Sequence, residues 1–121
     1  MGKVKTFMSI KTTRLGEIDV DSGTAVSTAG AATTSAQTGV ITTEVLATAA
    51  AGSYTFVLTN PLIQLNSILN TVVGKGTATT GGLVAVTTTC AAGSATIVFL
   101  NPIAAALNGT VKIAYSVLNV L

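Results

Sequence analysis

Two stretches of this sequence repeat each other: Ala51-Gly52-Ser53-Tyr54-Thr55-Phe56-Val57-Leu58-Thr59-Asn60-Pro61-Leu62 and, 41 positions later, Ala92-Gly93-Ser94-Ala95-Thr96-Ile97-Val98-Phe99-Leu100-Asn101-Pro102-Ile103. In both, apolar residues alternate along a run that ends at Asn-Pro. Such alternation indicates a strand with one buried face, and a proline ends or turns a strand because it lacks the N–H that a sheet needs. Each copy continues through a turn, Leu65-Asn66-Ser67 or Leu107-Asn108-Gly109, into another apolar run. The sequence therefore predicts two related hairpin units.

The repeat preserves the predicted buried face of the strand as well as the residue types. The apolar face holds Tyr54, Phe56 and Leu58 in the first copy and Ala95, Ile97 and Phe99 in the second. Further strands are predicted over 40–47, 67–73, 83–89 and 110–117, and Asn108-Gly109 is typical of a hairpin turn. These short strands favour an all-β fold, an antiparallel β-sandwich or small barrel of about six to eight strands with an extended N-terminal arm.

The chain divides by composition into an arm, residues 1–39, and a body, residues 40–121. Its 121 residues suit one domain, and 22 threonines favour strand over helix. Within the arm, residues 3–11 alternate between an apolar face and a basic face, and residues 17–21 are predicted to form a short edge strand. Residues 22–39 are a low-complexity run of small residues, predicted to be either a plain linker or a segment that orders on a neighbouring molecule.

Charge is concentrated in the arm. Seven of the ten charged residues lie before residue 22, which leaves only Glu44, Lys75 and Lys112 for the body. A subunit that stays soluble alone usually carries more surface charge, so we expect the body to cover part of its outside against copies of itself or a partner. The alternative is a neutral, Thr-covered monomer.

Several functional classes are disfavoured by the residues that are missing. With no histidine and a single cysteine, Cys90, the chain has few metal ligands and no imidazole to activate a Ser, Thr or Cys nucleophile. We therefore expect no enzyme, metal or cofactor, and interpret Cys90 as a buried or half-buried small side chain. The net charge of +2 argues against nucleic-acid binding. No run suits a signal peptide or a membrane-spanning helix.

The body also resembles a known class of proteins. The residues that carry the likeness are Ala51 to Asn60, Ala92 to Asn101, and Ala105-Ala106-Leu107-Asn108-Gly109-Thr110-Val111-Lys112-Ile113. In this pattern a strand, an Asn-containing corner and an Ala-Ala-Leu-Asn-Gly-Thr turn lead into a final apolar strand. It resembles the small β-sandwich virion proteins of tailed bacteriophages, and the charged N-terminus lies outside the likeness.

That resemblance implies a capsid decoration, or cement, protein. Such a subunit is often trimeric, sits on the assembled head and bridges neighbouring major capsid proteins. The expected partners are then copies of the chain itself in a homotrimer and the major capsid protein, with no nucleic acid, membrane or small-molecule substrate. The expected location is the virion surface, after synthesis in the host cytoplasm. Basic residues of the arm are predicted to meet carboxylates on the shell: Lys3, Lys5, Lys11 and Arg14.

Two other roles stay open at this point. One is a tail fibre or surface-filament subunit, in which an unpaired edge and a detachable strand propagate head to tail. The other is a receptor- or glycan-binding module, which needs an exposed aromatic patch. The few aromatic residues fall mostly on predicted core faces, which disfavours this second role.

Overall fold

The computed structural model describes residues 11–14, 17–19 and 22–119, and it is all-β. The described residues form no helix, as the abundance of β-branched residues predicts. The strands are β1 Lys11–Arg14, β2 Glu17–Asp19, β3 Ser22–Val26, β4 Ala31–Thr33, β5 Thr38–Thr42, β6 Ser53–Thr59, β7 Ile68–Lys75, β8 Val84–Ala91, β9 Ser94–Leu100 and β10 Val111–Leu118.

Eight of these strands build a sandwich of two four-stranded sheets. The first sheet has the order β3-β5-β10-β7 and the second has the order β4-β6-β9-β8. From β3 onward the chain changes sheet at every connection except β8 to β9, which turns at Ala92-Gly93 within the second sheet. The predicted sandwich is confirmed, and the described edge strands of the two sheets do not pair to close a barrel. Its pairing is antiparallel except where β3 and β4 join β5 and β6 in parallel.

The hydrophobic core lies between the sheets. Every second residue of β10, from Val111 to Val117, is buried against the repeat strands β6 and β9. All but one of the predicted inward positions of the repeat are buried, with Phe56 and Phe99 fully enclosed. The exception, Tyr54, lies half-buried at the rim, and its ring stacks on those two phenylalanines at centroid distances of 6.4 and 6.3 Å. The alternation read from the sequence therefore identifies the core face correctly.

The two repeat copies pair about a local two-fold axis. Strands β6 and β9 are neighbours in the second sheet, and β7 and β10 are neighbours in the first. Phe56 pairs with Ile97, its own equivalent 41 positions on, and Val72 pairs with Ala114. The two strands of each copy lie in opposite sheets, so the predicted hairpin units are instead arches between sheets. The Asn-Pro corner supplies the crossing, because its proline ends the first strand.

Both corner asparagines, Asn60 and Asn101, are fully buried. The Oδ1 of each accepts the backbone N–H two residues on, at 2.8 Å after Asn60 and 3.0 Å after Asn101, which forms an Asx turn across the proline. The Nδ2 of Asn60 donates to Thr34 Oγ1 and Ala36 O at 2.9 and 2.8 Å. That of Asn101 donates to three backbone carbonyls at 2.9–3.2 Å. Each corner thus fastens a neighbouring connection, which satisfies its buried amide.

The low-complexity run over 22–39 is part of the sandwich, contrary to its prediction as a linker or adhesive arm. Strand β3 pairs with β5, and β4 pairs with β6. Strand β5 begins at Thr38, so the predicted boundary after residue 39 falls inside a strand. The reason is that pairing uses backbone hydrogen bonds, which small residues supply as well as large ones. Local composition does not show which neighbour a segment meets.

Asn108-Gly109 is not a hairpin turn, since β9 and β10 lie in different sheets. The Oδ1 of Asn108 accepts the N–H groups of Thr79 and Thr80 at 2.7 and 3.1 Å, and Gly109 O accepts Leu46 N–H at 2.9 Å. Asn108 therefore holds the 76–83 connection through hydrogen bonds, and Gly109 holds the segment at Leu46. Nor do the residues between Ala104 and Leu107 form the helical turn that their composition allows.

Candidate interaction surfaces

One side of the sandwich, formed by the edge strands β7 and β8, is open. Among residues 11–14, 17–19 and 22–119, each of these strands pairs with one neighbour only, β10 or β9. Every residue of β8 is exposed except Cys90, which is half-buried. A strand covered on one face buries alternate residues, so exposure on both faces means that the opposite sheet leaves β8 largely uncovered. We call this the open side.

A cleft of about 460 Å³ runs into the open side between the two strands. Its lining residues are Leu65, Ser67, Ile68, Leu69, Thr88, Thr89 and Cys90. A second hollow of about 210 Å³ lies at the other end of β7, against Val73, Leu83 and Val111. The larger cleft carries no charged group and mixes apolar side chains with threonine hydroxyls. It therefore suits an apolar side chain better than a charged ligand.

The free edge of β8 has only one of the features with which proteins usually protect an edge, a local irregularity. The strand is eight residues long and contains neither a charged residue nor a proline. Its one irregularity is a register shift between Ala85 and Thr87, in its pairing with β9. The unpaired N–H and C=O groups on the other side of β8 are thus available to a further strand.

The outer faces of the sheets are also nearly free of charge. A row crosses the first sheet through Thr24, Val40, Ala114 and Val72. The four strands of the second sheet carry no charged residue at all. The large exposed apolar side chains of the described residues are Val26, Val40, Val45, Leu62, Leu65, Ile68, Val72, Val84, Val86, Ile103 and Leu118. An outside that combines many such side chains with so little charge is typical of a surface that is covered in an assembly.

The opposite side of the sandwich, between β3 and β4, is closed by a hydrogen-bond cluster around Glu44. The turn between these strands holds buried Ser27, whose hydroxyl donates to Glu44 Oε1. Gly30 N–H donates to Glu44 Oε2 at 2.8 Å, and Tyr54 Oη donates to the carboxylate at 3.2 Å. Strand β5 ends at Thr42, short of the predicted Ala47, and Glu44 lies in the connection that follows.

The cluster changes the ionisation of both titratable groups. Burial raises the pKa of Glu44, but the hydrogen bonds from Ser27, its own backbone, Gly30 and Tyr54 outweigh this and lower the pKa below 4.5. Burial, together with the charge of Glu44 and the hydrogen bond to it, raises the pKa of Tyr54 to about 12 against an opposing effect of Ser27. At neutral pH the carboxylate is therefore charged and the phenol is a donor.

The basic residues predicted to bind a shell are only partly within the described residues. Lys3 and Lys5 lie outside them. Lys11 and Arg14 lie on β1, where the register places them opposite Asp19 and Glu17 of β2. The structure thus brings two of the four together on one hairpin, and their binding role stays a prediction.

The sequence did not reveal the open side. It predicted a strand at 83–89, but the central or edge position of a strand depends on the sheet order. One signal was available: between Val84 and Ala91 neither face of the strand has a large apolar residue beyond its first positions. A strand that presents mainly Thr, Ala and Cys on both faces contributes little to a core.

Cys90 is a free half-buried thiol, as predicted, and burial raises its pKa. Within 11–14, 17–19 and 22–119 no three His, Cys, Asp or Glu side chains are grouped so as to hold a metal ion. The same residues include no helix long and apolar enough to cross a membrane. Comparisons with protein families, curated proteins and solved structures found no match to this chain.

Proposed function

We propose that this protein is a structural virion subunit that binds the outside of an assembled bacteriophage capsid as a decoration protein. In this role it forms a homotrimer and stabilises contacts between major capsid proteins. The observation that carries the proposal is the surface of the sandwich, where large apolar side chains are exposed and charges are scarce. Val72 on β7 is 70% exposed and Val86 on β8 is 57% exposed.

The energetic reason is the cost of leaving such a surface in water. Removing apolar surface from water stabilises a contact by about 25 cal/mol for each Å² covered. A shell presents the same contact many times, so weak individual contacts add up through avidity. The resemblance of the repeat and of the Ala105 to Ile113 segment to phage virion proteins points to the same class of assembly. The basic residues at the start of the arm, Lys3, Lys5, Lys11 and Arg14, supply a complementary attraction for an acidic shell.

Binding to purified capsids tests this proposal. Shells of the phage that encodes the chain, stripped of this protein, are mixed with the full chain and sedimented, and bound protein is measured against salt concentration. We expect saturable binding that weakens as salt rises, because arm contacts between opposite charges are screened. Replacing Lys3, Lys5, Lys11 and Arg14 together by Glu should reduce occupancy strongly.

A second arm variant replaces Lys3 and Lys5 alone by Glu, and its matched control replaces Lys75 and Lys112 of the body by Glu, the same two charge reversals away from the arm. Equal loss of binding in both variants would contradict the role of the arm. No binding of the full chain to its own shells would reject the decoration role. A size series without an upper limit, seen by analytical ultracentrifugation, would favour a filament subunit, because head-to-tail contacts at the edge of β8 would then not close into a ring.

A further inference from the structure

We infer that the open side receives residues 3–10 of a second copy of this chain as an additional strand beside β8. This deepens the proposed function by naming the contact that joins one subunit to the next. The inserted strand would continue the second sheet and place alternate side chains in the cleft between β7 and β8.

The acceptor has both features that strand addition requires. Strand β8 offers a free backbone edge of eight residues without charge or proline. The cleft beside it, of about 460 Å³, is bordered by Ile68, buried Leu69 and half-buried Cys90. Main-chain hydrogen bonds to an edge supply affinity, and pockets for alternate side chains supply the register. An unfilled cleft at a free edge therefore specifies an extended segment with one apolar face.

Residues 3–10 have that pattern and length. Val4, Thr6, Met8 and Ile10 fall on one face, and Lys3, Lys5, Phe7 and Ser9 fall on the other. Eight residues match the eight of β8. With the first face in the cleft, Lys3 and Lys5 point away from the sandwich. They are then available to a shell, which is how this contact and the proposed function coexist.

Residues 3–10 must come from a second copy, because the same residues of one chain cannot reach the open side of that chain. Ser22 begins β3, the far edge of the first sheet from β7. Lys11 pairs with Asp19, so residues 11–19 return on themselves and add almost no reach. Residues 20 and 21 span at most about 10 Å, which keeps Ile10 within about 20 Å of Ser22. A path around a sheet to the far side of β8 is about 30 Å, given strand and sheet spacings of about 5 and 10 Å.

Disulfide trapping tests this in the full chain, since Cys90 is the only native cysteine and lines the cleft. Single cysteines are placed at Val4, Thr6, Met8 and Ile10 in turn, with Lys5, Phe7 and Ser9 as matched controls on the opposite face. A bond forms only where the two Cα atoms come within about 7 Å. We expect one or two of the first four variants to give covalent multimers on a non-reducing gel and the controls to give none. Cys90→Ser should abolish the product.

The remaining outcomes each overturn the inference. A disulfide within a single chain would show that residues 3–10 enter the cleft of their own subunit. Equal cross-linking of both faces, or of neither, would reject strand insertion. A chain that begins at Ser22 and keeps the full oligomeric mass would show that edges of two copies pair directly. Shell binding is not measured here, so a negative result leaves the decoration role standing, and failure of shell binding leaves this contact standing.

Discussion

The two sides of the sandwich differ in how their edge strands are covered. On the closed side, β3 and β4 are short edge strands whose connecting turn is fastened by Ser27 and Gly30 to Glu44. On the open side, β7 and β8 are longer, none of the described residues fills the cleft between them, and β8 is exposed on both faces. The described residues thus satisfy the polar side chains of the closed side among themselves, and they leave apolar surface and the outer backbone groups of β8 uncovered on the open side.

This difference indicates which changes should affect folding and which should affect association. Substitutions on the closed side remove contacts that the folded monomer already makes. Those on the open side affect contacts that the proposed association makes with a partner, so we expect them to leave the free energy of unfolding of the monomer almost unchanged.

The largest expected effect comes from removing the closed side altogether. A chain that begins at Val40 loses β3, β4 and the first residues of β5, which exposes the core along one side. We expect it not to fold, whereas a chain that begins at Ser22 keeps both sheets and unfolds cooperatively. Circular dichroism during thermal unfolding separates the two. Cooperative unfolding of the shorter chain would show that β3 and β4 are dispensable.

A smaller effect is expected from Glu44→Gln, which keeps the shape of the cluster but removes its charge. Hydrogen bonds to a charged group contribute about 1.5–3 kcal/mol, but solvent screens the partly exposed Glu44, so we expect a loss of about 1 kcal/mol at pH 7. The folded pKa of Glu44 is lowered, so its stabilisation is present above the ordinary value of 4.5 and is lost as pH falls below it.

Chemical unfolding of both proteins between pH 7 and pH 3 measures this. The difference in unfolding free energy between wild type and variant should shrink with acidification. Tyr54→Phe is the matched control, because it removes one donor and leaves the carboxylate. A difference that stays constant across this range would contradict a charged Glu44 in the cluster.

The smallest effect on stability is expected from Val86→Lys, on the open edge of the second sheet. Val86 is exposed, so the substitution should change the free energy of unfolding by about 0.5 kcal/mol or less. Association should nevertheless be lost, since an edge lysine disfavours strand addition. The matched control is Ala32→Lys on β4, the other edge of that sheet. Ala32 is buried, and a buried unpaired charge should destabilise the fold severely.

Urea unfolding and sedimentation measured on the same samples distinguish these two variants. If Val86→Lys destabilises the monomer as much as Ala32→Lys does, both sides contribute to folding, and the distinction between a side that stabilises the fold and a side that associates is wrong. If it leaves the oligomeric mass unchanged, β8 is not the contact.

Prediction from sequence succeeded where a feature is local. The alternation in β10 identifies its buried face, and Asn-Pro identifies both corners, because side-chain period and proline geometry act within a few residues. It failed for residues 22–33, whose small side chains give no sign of β3 and β4. It failed also for Asn108-Gly109, whose hydrogen bonds go to Thr79 and Thr80. In both cases the partner is distant in sequence.

The amino-acid sequence by itself determined the all-β class, the repeated strand-and-corner unit, the face of each repeat strand that enters the core and the shortage of charge on the body. These follow from residue type and spacing alone. Only the tertiary structure decided that each unit arches between two sheets, that Glu44 closes one side and that β8 stands uncovered at the other. Sheet order is set by contacts between residues far apart in the chain, and no local pattern specifies which strand is left at the edge.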